Sequence, residues 1–176
     1  MTRPPDRDHR ALLLCYDGSP PADAAIDAAG GLAPGRRALV AHVWVSGAPR
    51  LPLPEVVSTP EVRQTIEDVV AELDTSARRH AEDVAVSGTE RARALGLDAE
   101  PLVIRVLGSI AGHPEVGVAR ALATAAEDHD AALVVISSRG RSQFEAAMLG
   151  SVSYGVLHLS RRPTLVVDAP GADPVS

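Results

Sequence analysis

Ala132-Leu133-Val134-Val135-Ile136-Ser137-Ser138-Arg139-Gly140 is the stretch on which the fold turns. Its five leading residues are apolar and end in the β-branched Val134, Val135 and Ile136, a continuous run suited to a strand covered on both faces. The run breaks into two serines, an arginine and a glycine. After nine intervening residues Gly150-Ser151-Val152-Ser153 opens a helical pattern that lasts to about Ser160. A strand, a glycine-bearing loop and a Gly-Ser helix start bring backbone N–H groups to the strand's carboxyl end, where the helix dipole favours an anion.

The same strand-then-helix unit recurs along the chain. Ala11–Tyr16 is a short apolar run closed by Asp17-Gly18-Ser19. Ser19 suits a helix cap, with Pro20 or Pro21 in the first turn where a missing N–H costs nothing. Ala22, Ala25, Ile26 and Ala29 share one face until Gly30-Gly31, where the helix is expected to stop. Ala38–Val45 reads as the second strand, and Gly47–Ser58, with Pro49, Pro52 and Pro54, as a surface loop. Thr59-Pro60-Glu61 starts a helix in which Val62, Ile66, Val69, Val70, Leu73 and Ala77 keep a helical period. It extends towards Leu95, with Gly88 as a weak point and Gly96 as its stop. Leu102–Leu107 is the third strand and Gly108–Pro114 a loop. Val116, Ala119, Leu122, Ala123 and Ala126 mark a helix, and Thr164–Val167 is the fifth strand. Alternation of this kind implies a parallel sheet with right-handed crossovers and helices on both faces. Asp17, the segment after Val43 and the Ser137–Gly140 loop then meet at the strands' carboxyl ends, where such sheets bind ligands.

Composition bounds the function. A chain of 176 residues, 45% apolar and only 2% aromatic, is one domain with a core of Ala, Val, Leu and Ile. A net charge of -6 argues against nucleic acid as a partner, which would need a basic field. There is no apolar run of the ~18 residues a membrane helix needs, and no signal-peptide core follows the polar start. The lone Cys15 excludes an internal disulfide and points to a reducing cytoplasm. Between Leu14 and Tyr16 it reads as a small packing residue. Six histidines show no metal-ligand spacing, so no metal site is expected. Glu127, Asp128 and Asp130 read as solvated loop charges at the end of the sheet opposite the glycine-bearing loop.

The chain resembles the universal stress protein family from about Arg10 to Asp168. The resemblance rests on Tyr16-Asp17-Gly18-Ser19 after the first strand, His42-Val43 in the second and Gly140-x9-Gly150-Ser151. The closing Leu157-His158-x4-Pro163-Thr164-Leu165-Val166-Val167 matches as well. It implies an α/β three-layer open sandwich with a five-stranded parallel sheet, of the adenine-nucleotide alpha-hydrolase-like kind, over residues 10–168, with flexible tails at 1–9 and 169–176. It also implies a homodimer through Thr164, Leu165, Val166 and Val167.

A subset of that family binds ATP through Gly-x2-Gly-x9-Gly-Ser/Thr. Here the first glycine is replaced by Ser137, while Gly140, Gly150 and Ser151 match. Serine at a position needing positive φ would cost roughly 1 kcal/mol; at one needing only close approach, its hydroxyl would donate to the ligand. Asp17 matches the acid at adenine or ribose, and Val43 the residue whose backbone reads the adenine edge. Gly140, Gly150, Ser151, Val152 and Ser153 would hold ribose and phosphates, with Arg141 and Arg139 adding positive charge and Mg²⁺ arriving with the phosphates. The expectation is a dimeric, cytoplasmic stress or signalling module that binds ATP or another adenine nucleotide. No catalytic residue is assigned: there is neither a Gly-x-Ser-x-Gly elbow nor a Gly-Lys-Ser/Thr, so the chain is not expected to be an enzyme. The alternatives are a scaffold that binds protein partners without nucleotide, and a slow nucleotide hydrolase.

Overall fold

Four buried residues, Leu12–Cys15, form β1 and divide the core between them. Leu12 and Leu14 pack with Ile26, Val40 and Ala92 on one face of the sheet; Leu13 and Cys15 pack with Leu122, Val134 and Val156 on the other. Period-two alternation on a strand buried from both sides produces this split. The computed structural model describes residues 10–46, 59–107, 114–138 and 149–168. The expected tails, the Gly47–Ser58 loop and residues 108–113 and 139–148 lie outside them.

Around β1 stand α1 (Pro20–Leu32), β2 (Arg37–Ser46), α2 (Pro60–Ala94), β3 (Asp98–Leu107), α3 (Pro114–Asp128), β4 (Leu133–Ser137), α4 (Ser151–Leu159) and β5 (Thr164–Val167). The sheet has five parallel strands in the order β3-β2-β1-β4-β5. The chain therefore builds outward from β1 to one edge, then crosses back to the other side of β1. That reversal is the switch point at which open α/β sheets leave a crevice. β2 and β3 run on past β1: Cys15 pairs with Ala41, whereas Val43 to Ser46 pair with β3 alone. The overhang forms a wall above the carboxyl end of β1.

Gly30, Gly88 and the start of β3 differ from the sequence reading. α1 passes through Gly30 and Gly31 to Leu32. A Cβ on Gly30 would lie 2.7 Å from Leu95 Cβ, so this glycine serves close packing between helices and not termination. Gly88 is likewise no weak point, because a Cβ there would lie 2.5 Å from the Tyr16 ring. β3 begins at Asp98, four residues earlier than its apolar run suggests, and carries Pro101 opposite Val40. A proline inside a strand is tolerated here because β3 is an edge. At the amino ends of the strands, Arg162 lies 2.7 Å from Asp130 and 3.4 Å from Glu127. These two acids thus fasten the approach to β5 and are not merely solvated.

Candidate functional site

Ser19 caps α1, its Oγ accepting from Ala22 N, and Thr59 caps α2 by accepting from Val62 N. The α4 N-terminus is built differently. Its cap is Gly150, with no side-chain bond to the first turn. Gly150 has φ -60° and ψ 151°, a conformation open to any residue, so no left-handed backbone demands glycine. What glycine supplies here is an empty side-chain position over the amides of the first turn, which an external acceptor can satisfy.

That helix end opens on a cavity of about 320 Å³, within the volume range of about 300–1,000 Å³ typical of ligand pockets. Asp17, Val43, Ser137, Gly150, Ser151, Val152 and Ser153 all line it. Seven of the nine site residues expected from sequence are therefore brought together; Gly140 and Arg141 lie outside the described residues. Cys15, Tyr16, Ala41, His42, Val118, Leu122 and Ile136 add a largely apolar wall. Glu115, in the first turn of α3, also lines the cavity, and the sequence reading missed it. Pro114-Glu115 was the available signal, because it opens a helix just past a strand's carboxyl end, the edge of the sheet where crevices form.

Local hydrogen bonds fix the parts. Asp17 Oδ1 accepts from Ser19 N (3.0 Å) and from Ser19 Oγ, so the carboxylate both shapes the turn at Gly18 (φ 78°) and sits at the cavity edge. His42 Nδ1 lies 2.9 Å from the Tyr16 carbonyl, which can only accept, so Nδ1 carries the hydrogen. Ser153 Oγ donates to the Ser137 carbonyl at 2.7 Å, and Gly150 N donates to the Ser138 carbonyl at 2.7 Å. Together they fasten the start of α4 to the end of β4. The Ser153 hydroxyl proton is thereby committed to the backbone rather than to a ligand, while Ser151 is exposed.

Ser137 is the last residue of β4 and is buried. Asp130 is the one non-glycine residue with positive φ among those described, so serine at 137 carries no left-handed strain. Burial pushes the Cys15 thiol up to about 12, which leaves it an unreactive neighbour of the cavity. The Tyr16 hydroxyl donates to Asp23 Oδ1 at 2.9 Å, and its pKa is raised by burial first and by that acceptor second. No group of three or more metal-ligating side chains occurs among the described residues, and none of their helices is long and apolar enough to cross a membrane.

The fold has solved counterparts. The hypothetical protein MJ0577 superposes with a TM-score of 0.69 at 17% identity, over 93% of this chain and 99% of that one. A universal stress protein from Archaeoglobus fulgidus, solved in complex with dAMP, superposes with a TM-score of 0.55 at 16% identity, covering 89% of this chain and 96% of that one. A universal stress protein solved with cAMP gives 0.54 at 23% identity, covering 90% and 96%. In sequence, the universal stress protein YxiE of Bacillus subtilis is 28% identical over 159 residues, 89% of this chain and 97% of that protein. The model of the universal stress protein family matches residues 9–168, the whole span from the approach to β1 through the end of β5. With the sheet order, the crevice at its switch point and the Gly-Ser start of α4 all in place, the chain belongs to the universal stress protein family.

Proposed function

We propose that this protein binds an adenine nucleotide, ATP with Mg²⁺ in the first instance, in the cavity between β1, β2 and α4. The observation that carries the reading is the start of α4: a helix N-terminus without a side-chain cap, opening into a cavity that also holds Asp17 and Val43. The amides of Ser151, Val152 and Ser153 would meet phosphate oxygens, aided by the helix dipole. The Val43 backbone would read the adenine edge, the apolar wall would cover its ring, and the Asp17 carboxylate would accept from ribose or the adenine amine. Mg²⁺ would be held by the phosphates. The complexes of two family structures with cAMP and dAMP support this choice of ligand class.

The reading is of a cytoplasmic sensor without turnover, paired with a second copy through the free edge of β5, whose state is set by nucleotide occupancy. Absence of phosphate release over hours from purified protein would agree with it; steady release abolished by Asp17→Ala would replace it with a hydrolase. The direct test is Gly150→Asp. Aspartate is a preferred helix cap, so the unliganded fold should keep its stability or gain a few tenths of a kcal/mol. The same carboxylate would occupy the phosphate position, so nucleotide affinity in equilibrium titration should fall by more than tenfold. Retained affinity in a folded variant would move the site elsewhere.

A further inference from the structure

α2 has 35 residues, and its fully buried residues, Ala81, Ala85, Gly88, Thr89 and Ala92, all lie in its second half. The first half nevertheless carries Val62, Ile66, Val69 and Leu73, which are 36% to 62% exposed. Their spacing of four, three and four residues is the seam of a coiled coil. At about 100° per residue this stripe lies roughly 100° around the helix from the face of Asp74, Ala81, Ala85 and Ala92. The described part of the body therefore leaves it uncovered. The next seam positions are Ser76 and His80, so the apolar stripe ends where the body begins.

We propose that this arm pairs with the same arm of a second copy, in an antiparallel, two-fold seam. In that register Val62 meets Leu73 of the second copy and Ile66 meets its Val69, so all four layers are apolar. Beside the seam Glu72 faces Thr65 and Arg63 faces Val70, so no like charges are opposed. The remaining acids of the arm, Glu61, Glu67, Asp68 and Asp74, stand off the seam. Direction follows from where the body sits. The Asp74 carboxylate accepts from Arg105 (3.0 Å) and from Ser46 Oγ, which fixes the arm's exit from the body. Paired helices lie about 8–10 Å apart, so a parallel pair would drive both bodies together at one end. An antiparallel pair sends them to opposite ends and opposes the helix dipoles. A seam of three turns falls short of the ~1,200 Å² of a stable interface. It therefore makes a weak, reversible contact that joins chains or links pairs already formed at β5.

The test uses the full chain, whose Cys15 is buried. Ile66→Cys and Val69→Cys proteins are mixed and oxidised, with Gln64→Cys, on the outer face of the arm, as control. The expected result is a 66–69 disulfide between the two variants, several-fold above the control. Sedimentation of the native chain should show mass rising with concentration, more steeply in added salt, because the arms carry like net charge. Ile66→Glu with Leu73→Glu should remove that rise while the circular dichroism of the fold stays unchanged. A predominance of 66–66 and 69–69 disulfides would overturn the register. Failure to cross-link, with residues 66 and 69 shielded from thiol reagents in a monomer, would show the stripe covered by the protein's own chain and overturn the proposal.

Discussion

At the residue scale the small side chains carry the specificity of this core. Gly88 lets α2 lie directly on the Tyr16 ring, whose hydroxyl in turn reaches Asp23 at the start of α1. We expect Gly88→Ala to destabilise the fold by about 1–3 kcal/mol in chemical denaturation through overpacking, despite a gain of about 1 kcal/mol in helix propensity. Cys15 gives a second expectation, with a definite sign. Its thiol stands at about 12 in the fold against an ordinary 9.0. Below pH 9 both folded and unfolded chains keep the proton and stability is unaffected. Above it the unfolded chain ionises while the fold does not, so Cys15 lowers stability between pH 9 and 12, an effect that Cys15→Ala should abolish in pH-dependent denaturation. A thiol reagent at pH 8 should label the native protein only as fast as it opens. Ser137 shows what a motif leaves out. Its mismatch with the glycine pattern was legible, but its extended backbone was not, and that conformation removes the strain argument.

Among elements, the strands were the most legible, because residues such as Leu12–Cys15 and Val134–Ile136 are buried on both faces and can be little else. The start of β3 was not legible, since Glu100 and Pro101 interrupt its apolar run, and edge position, which permits both, is a property of the sheet. The α4 start was legible from Gly150-Ser151, as were seven of the residues that line the cavity, whereas its apolar wall was not. The exposed half of α2 was not: periodicity gives the residues that share a face, and says nothing about what that face meets. The helix's middle is tied to the β2–β3 overhang by Asp74, Ser46 and Arg105, the last also 5.6 Å from the Trp44 ring. We expect Asp74→Ala to cost about 1 kcal/mol. Amides from Glu61 to Leu73 should exchange faster in hydrogen–deuterium measurements, with those of β1 unchanged.

For the whole molecule, a ligand that binds only the folded state stabilises it by mass action. Nucleotide at a hundredfold over its Kd should raise the melting temperature by roughly 5–10 °C, and adenine nucleotides should do so where inorganic phosphate does not. Gly150→Asp should remove the shift without lowering the starting value. The switch in strand order explains why one crevice collects residues as distant in sequence as Asp17, Glu115 and Ser151.

The double fastening of α4 to β4, through Ser153 to Ser137 and Gly150 to Ser138, has a consequence for how this protein can diversify. The amides that open α4 are therefore positioned by the scaffold itself, and substitutions elsewhere along the cavity wall can change its shape and polarity without moving them.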